Sequence, residues 1–304
     1  MRVLIVARCK QGRYAPFITE QVDALETQGV ECRYFGVDGN GIAGYLRQIP
    51  KLRKAIRAFR PDIIHAHYGL CGLLANCQWR IPVVTTYHGS DINDPWVLGF
   101  SKRSIRCSRF NIFVSQKNVD IARPRKDYAL IPCGISLEDY PVIDKADARR
   151  RMGLEPSAKY VLFAGAFDNP VKNALLAKEA MERVPQAELL ELKGFTRLQV
   201  ATLMQAVDAF LMTSITEGSP QVIKEAMACG CPIVSVDVGD VRERIEGMDG
   251  CFIAGRDPEA LAHSLREALA FEGRTPGRPA IEMNGLSNDV IAARIISVYE
   301  KVLL

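Results

Sequence analysis

The chain has 304 residues, of which 48% are hydrophobic and 24% charged, with a net charge of +4. That length suits two domains of ordinary size, and the balance excludes a disordered or fibrous chain. No apolar run approaches the ~20 residues that a membrane-spanning helix needs.

The segment Met1 to Ala7 is too short for a signal-peptide core, and charge follows at once in Arg8 and Lys10. It reads as a first buried strand, so a cytoplasmic location is expected. Further apolar strand candidates follow at 30–35, 62–66, 82–87, 110–115 and 129–132. Helical segments lie between them. Pro16 opens one helix near its first turn and Gly29 closes it. Residues 45–59 place Leu46, Ile49, Leu52, Ile56 and Phe59 at helical spacing, with basic residues on the other side. A polar stretch from 136 to 157 reads as a linker. A second series has strands near 159–164, 187–192, 208–213, 232–236 and 251–254. Helices near 171–183, 196–206, 219–229, 240–246 and 257–271 separate them. A break at Gly273 to Pro279 precedes a last helix at about 286–303.

Strands alternating with helices imply right-handed crossovers and parallel sheets covered on both faces. The expected architecture is therefore α/β, with two Rossmann-like domains at 1–140 and 141–285. Residues 286–304 form a terminal helix that can pack back on the first domain. Ligands in such sheets bind outside the carboxyl ends of the strands, and the cleft between two such domains is the natural site.

Charge is unevenly spread. Residues 1–143 hold 20 basic and 12 acidic residues, and the remainder holds 19 and 23. Lys51, Arg53, Lys54, Arg57 and Arg60 form one basic stretch. Lys102, Arg103, Arg106 and Arg109 form another. Two readings fit: loose contact with an anionic partner, such as a phospholipid surface or a phosphorylated acceptor, or solvated helix faces. The nine cysteines are scattered, with no C-x-x-C pair, and read as reduced thiols.

The densest motif runs from Thr216 through Glu217, Gly218, Ser219 and Pro220 to Val234. Ser219 suits an N-cap and Pro220 the first helical position. Val222, Ile223, Ala226 and Met227 make an apolar stripe. Gly218 lets a ligand approach the backbone, and amides at the helix start can bind an anion or sugar oxygens. Glu217 and Glu225 are acceptors suited to pairs of sugar hydroxyls. Lys172 follows strand 159–164 in Gly165-Ala166-Phe167-Asp168-Asn169-Pro170-Val171-Lys172-Asn173. A lysine with helix-terminal amides can neutralise a leaving diphosphate. After the first strand, Gly12 permits close backbone approach to a donor, and Arg13 suits phosphate or acceptor. No G-x-G-x-x-G follows strand 2–7 and no P-loop is present, which argues against a dinucleotide oxidoreductase or a P-loop kinase. No D-x-D pair occurs, so no metal and no cofactor are expected, and nothing points to nucleic acid.

Glu217-x7-Glu225 with its apolar helix and Gly230-x-Pro232 resembles the signature of family 4 retaining glycosyltransferases, which have the GT-B fold of two Rossmann-like domains facing across a cleft. Phe59 to His67, Thr86 to Asp91, Ile131 to Ile135 and Leu162 to Gly165 resemble further elements of that family, so the likeness covers nearly the whole chain. It implies sugar transfer from a nucleoside-diphosphate sugar to a hydroxyl of a glycan or lipid-linked acceptor, in lipopolysaccharide, exopolysaccharide or glycolipid synthesis. It implies that Glu217 faces the donor sugar and Glu225 the ribose. Ser219, Pro220, Gln221 and Val222 would offer backbone groups to sugar and diphosphate. His88 would reach the donor sugar, or else serve as a capping or core histidine. His65 and His67 read as structural. One departure stands out: Ala166 occupies the position of the family's arginine. That keeps two rivals open, a noncatalytic nucleotide-sugar-binding subunit and a GT-B epimerase or hydrolase. The acceptor pocket is expected near Lys10–Tyr14, His67–Gly72 and Asp91–Trp96.

Overall fold

The computed structural model describes residues 1–39 and 41–304. The chain forms two compact units: Met1–Gly134 with Asn288–Leu304, and Ile135–Ser287.

The first unit holds β1 (Arg2–Arg8), β2 (Glu31–Val37), β3 (Ile63–His67), β4 (Val83–Tyr87), β5 (Phe110–Phe113) and β6 (Tyr128–Leu130). They form one parallel sheet in the order β2-β1-β3-β4-β5-β6. Residues Val3 to Ala7 of β1 are all buried, as a strand covered on both faces requires. Side chains alternate between the faces. Val3, Ile5 and Ala7 meet Ile18, Val22 and Leu25 of helix Pro16–Thr27. The same cluster takes Ile291, Ile295 and Tyr299 from helix Asn288–Leu303, so the end of the chain completes the core of its beginning. Leu4 and Val6 meet Leu52 and Phe59 of helix Ile49–Phe59 and Leu74 of helix Gly69–Asn76. Residues 45–59 are not one helix. Gly41–Leu46 and Ile49–Phe59 are separate, because Pro50 lacks the N–H that would continue the ladder. Gln48, at the break, donates instead to Asp38 at 2.6 Å.

The second unit holds β7 (Lys159–Phe163), β8 (Ala187–Glu191), β9 (Ala209–Met212), β10 (Ile233–Val236) and β11 (Cys251–Ala254). They are parallel, in the order β11-β10-β9-β7-β8. Leu162, Phe163, Phe210, Met212 and Val234 fill the core between flanking helices. Strand order reverses between β7 and β9 here, and between β1 and β3 in the first unit. Those are the switch points where parallel sheets open a crevice at their carboxyl ends.

Residues 136–157 are not a linker. The first unit ends at Gly134, earlier than residue 140, because Ile135 already donates to Leu286 at 2.9 Å inside the second unit. The polar residues that resemble a linker build helix Lys145–Met152, capped by Asp144. Arg149 is buried and donates to Asp208 at 2.7 Å. Asp208 also accepts from Lys145 and from the Tyr160 amide, each at 2.8 Å. Burial pushes its carboxyl up, but Lys145, that amide and Arg149 outweigh it and hold it below its usual range. The break at 273–279 likewise contains the start of helix Gly277–Met283. A Cβ on Gly277 would meet the Met227 carbonyl oxygen at 2.6 Å, so glycine sets the distance between two helices.

Asp208→Ala should strand the buried Arg149 guanidinium and cost about 3–5 kcal/mol, the usual penalty for half of a buried ion pair. Urea unfolding of the variant measures this; a loss under about 1 kcal/mol would mean the pair does not hold the unit together.

Candidate active site

In the second unit, the loops that follow β7 and β9 meet at the switch point. Lys172 Nζ donates to Glu217 Oε1 at 2.7 Å, and both side chains are 18% exposed. Their positions are fixed by backbone rather than by the pair alone. Thr213 Oγ1 donates to the carbonyls of Lys172 and Asn173, each at 2.9 Å, and Ile215 N donates to Val171 O at 2.8 Å. Residues 170–173 form a single 3-10 turn that ends with Asn173 at φ +54, ahead of helix Ala174–Met181. The Lys172 stem lies on Gly165, where an added Cβ would meet it at 3.0 Å.

Helix Gln221–Ala228 begins beside Glu217, with Pro220 at its cap position. Ser219 is not the cap. Its hydroxyl donates to Asp240 Oδ2 at 2.7 Å and accepts from Lys224 Nζ at 2.9 Å. Lys224 has no exposed surface and also donates to Gln221 Oε1 at 2.7 Å. Asp240 in turn accepts from Arg244 Nε at 2.9 Å. Gly239 sits at φ +55 under the Gly218 carbonyl, which an added Cβ would meet at 2.5 Å. The loops at 217–221 and 237–240 are thus locked together. Val222 packs against the core, leaving Gln221 and Glu225 partly exposed on the helix.

In the first unit, β3 ends in two buried histidines. His65 lies between Tyr299 OH at 2.6 Å and Thr86 Oγ1 at 2.7 Å. His67 Nδ1 and His88 Nε2 share a hydrogen bond at 3.0 Å, while His67 Nε2 is buried with no hydrogen-bond partner among the described residues. His88 Nδ1 faces Cys133 Sγ at 3.7 Å, and its ring lies against Phe17 and Tyr68. The turn that presents His88 is organised by buried Asp91. Its carboxylate accepts from the amides of Gly69 at 2.8 Å, His88 at 3.0 Å and Gly89 at 3.1 Å. Burial drives His67 down to about 3 and His65 well below its usual value, the latter helped by His67 and His88. Burial pushes Asp91 up to about 6, against the pull of those backbone amides.

The sequence profile of Glycosyltransferase Family 4 matches residues 10–139, and that of Glycosyl transferases group 1 matches residues 187–270. The chain belongs to the family 4, group 1 glycosyltransferases. A D-inositol 3-phosphate glycosyltransferase of Mycolicibacterium gilvum is 25% identical over 273 residues, covering 73% of this chain and 61% of the relative. The chain spans about three fifths of the length of the first curated relatives it matches. The structure of a sucrose-phosphate synthase from Thermosynechococcus elongatus has a TM-score of 0.85 at 17% identity, covering 99% of this chain and 98% of that one. An Anabaena protein, HepE, in complex with UDP and glucose, has a TM-score of 0.75 at 19% identity, covering 99% of each. These likenesses establish the GT-B fold.

Of the residues that the family resemblance singles out, the second unit gathers Gly165, Lys172, Asn173, Glu217, Gly218, Ser219, Pro220 and Gln221 around one switch point, with Glu225 one turn into the helix. His88, Gly12 and Arg13 belong to the first unit. Gly12, at φ +76, completes a tight turn after β1. Three residues that the sequence does not single out brace the second unit's loops: Lys224, Asp240 and Arg244. The only sequence signal for Lys224 is a lysine set beside an apolar stripe.

The buried histidines predict acid sensitivity. In the unfolded chain His67 takes a proton near pH 6.5; in the fold it does so only near 3. Stability is therefore full above pH 6.5 and falls as pH drops, by about 2 kcal/mol at pH 5 for His67 alone. Asp91 acts oppositely, since its folded carboxyl protonates near 6 and its unfolded one near 3.8. His67→Asn keeps a partner for His88 and cannot charge, so its urea midpoint should fall less between pH 7 and 5 than that of the parent. Parallel profiles would show that His67 is not held neutral.

Proposed function

We propose that the protein is a retaining glycosyltransferase that moves a sugar from a nucleoside-diphosphate sugar to an acceptor hydroxyl without a metal ion. The observation that carries this reading is the Lys172–Glu217 contact at the switch point of the second unit. Cleaving the donor leaves negative charge on the diphosphate and positive charge at the anomeric carbon. Lys172 supplies a cation for the first, with amides at the start of helix 221–228 beside it. Glu217 accepts hydrogen bonds from donor-sugar hydroxyls, and Glu225 from the ribose. The C1–O bond to phosphate breaks with its electron pair going to the phosphate. The acceptor oxygen bonds to C1, and its proton passes to the leaving phosphate oxygen. Retention follows from attack on the face the leaving group departs from. HepE was seen with UDP and glucose, which makes UDP the first nucleotide to test.

Ala166 favours one rival, a noncatalytic subunit that binds the nucleotide sugar. Thermal unfolding with UDP, GDP, ADP and CMP, first without and then with magnesium, begins the test. A ligand at 100 times its dissociation constant adds about 2.7 kcal/mol, or several degrees for a chain of this size. One nucleoside diphosphate should raise the midpoint without metal, and Glu225→Ala should abolish the rise. Glu217→Gln should then lower turnover on the order of 100-fold. Nucleotide binding without turnover on any acceptor would favour the noncatalytic reading. The absence of any shift would remove the donor site itself.

The acceptor is proposed to be a glycan or lipid-linked molecule, used in lipopolysaccharide, exopolysaccharide or glycolipid synthesis, with the first unit resting loosely on an anionic membrane. No helix among the described residues is long and apolar enough to cross a membrane. Two basic grooves support peripheral contact. Arg53, Arg57, Arg60 and Arg80 line one of about 530 Å³. Lys102, Arg106, Arg123, Arg125 and Lys126 line another of about 310 Å³. Vesicles containing phosphatidylglycerol should co-sediment the protein at low salt and release it near 1 M, where screening acts within ~3 Å. Indifference to both lipid charge and salt would defeat the membrane contact.

A further inference from the structure

Three of the four histidines of the chain meet at the carboxyl ends of β3 and β4. His65 and His67 are two residues apart on β3, so their side chains stand on one face of the sheet. Thr86 of β4 pairs in register with His67, and His88 follows that strand directly. Ring centroids are 4.6 Å apart between His65 and His67, and 5.2 Å apart between His67 and His88. His65 has a hydroxyl at each ring nitrogen, Tyr299 on Nδ1 and Thr86 on Nε2. A hydroxyl can donate or accept, so those contacts fix no tautomer. His67 differs. Its Nδ1 meets His88 Nε2 at 3.0 Å, and its Nε2 has no hydrogen-bond partner among the described residues.

That asymmetry decides where the protons sit. His67 has no exposed surface, and burial holds it neutral, so it carries a single ring proton. With the proton on Nε2, His67 would accept from His88 and bury an N–H that has no acceptor. With the proton on Nδ1, it donates to His88 and buries only a lone pair. A buried donor without an acceptor is the costlier of the two. His67 therefore donates and His88 Nε2 accepts. The proton of a neutral His88 then lies on Nδ1, facing the Cys133 sulfur at 3.7 Å, a weak acceptor. Phe17 and Tyr68 pack on the His88 ring at centroid distances of 4.8 and 4.7 Å and limit its rotation.

We infer that His67 is a positioning residue: its Nδ1–H occupies Nε2 of His88 and so fixes His88 as the Nδ1–H tautomer, a donor that can exchange the weak Cys133 contact for a sugar oxygen. The tautomer rests on the histidine contacts alone; the use of that donor on a sugar rests on the proposed transfer reaction. Long-range proton–nitrogen correlation spectra of the full chain, labelled with nitrogen-15 at histidine, separate proton-bearing from bare ring nitrogens. Only four histidines contribute, and substituting each in turn assigns them. Near neutral pH both His67 and His88 should show a proton-bearing Nδ1 and a bare Nε2. In folded His67→Phe, which keeps a ring but no donor, His88 should lose that single form and show averaged nitrogens. His67→Asn, whose amide N–H replaces Nδ1–H, should restore it. A proton on His67 Nε2, a doubly protonated His88, or a His88 tautomer unchanged in His67→Phe would each overturn the inference. If His67→Phe does not fold, the parent spectrum and His67→Asn decide it. In a transfer assay His67→Phe should lower kcat about tenfold or more while donor KM changes less than about twofold, and His67→Asn should recover most of the loss. Loss of the tautomer with kcat unchanged would overturn the positioning role. A parent without transfer activity counts against the proposed reaction and leaves the tautomer result standing.

Discussion

In a parallel sheet whose crossover helices cover both faces, only the strand ends stay open to solvent. The carboxyl ends part company where the strand order reverses. Both units obey that constraint, and it decides where chemistry can be placed. The reversal between β7 and β9 brings the loops carrying Lys172 and Glu217 together, though 45 residues separate them in the chain. The reversal between β1 and β3 does the same for the Lys10–Arg13 turn and Tyr68. In each case a glycine makes the approach feasible: Gly165 under the Lys172 stem, and Gly12 in the hairpin turn.

A second constraint acts inside the second unit. A desolvated ammonium is expensive unless it is fully hydrogen-bonded. Lys224 is such a group, so Ser219 and Gln221 must face it. Ser219 can do so only because Asp240 takes its proton side, and Asp240 is held in turn by Arg244. The loop proposed to offer its backbone to the donor is therefore fixed from behind, which would lower the ordering cost of binding. In the first unit a different arrangement serves the same end. Three amides converge on buried Asp91 and fix the turn bearing His88, whose imidazole then meets His67, a ring kept neutral by burial.

The sequence carries most of the fold, because buried parallel strands are short apolar runs and their helices have regular stripes. The strands of both units lie within a residue or two of where periodicity places them. What it misreads has a common cause. Residues 136–157 are rich in charge, and charge looks like solvent exposure; yet Arg149 is charged in order to satisfy Asp208, three segments away. Ser219 before Pro220 has the form of a helix cap, but its hydroxyl is claimed by Lys224 and Asp240, whose proximity no local pattern encodes. The motif Glu217 to Pro232 marks the site without revealing that Glu217 meets Lys172. Polar residues that work in pairs across the chain are invisible to periodicity; apolar ones are not.

The cations of the molecule can be ranked by how much of their bonding the fold already supplies. Lys224 is buried and bound to side chains of its own helix turn, so it is part of the scaffold. Lys172 is mostly buried and engaged by one carboxylate, leaving donor capacity that an incoming anion can use. On the proposed reaction that capacity would carry the phosphate contact without the arginine that the family resemblance places at position 166, where this chain has Ala166. Lys10 and Arg13 stand at the far end of the scale. The backbone bridge fixes where their Cα atoms are, and among the described residues neither side chain has an ion-pair or hydrogen-bond partner. Charge that a fold positions but does not satisfy is a stronger pointer to a binding site than charge that is merely abundant.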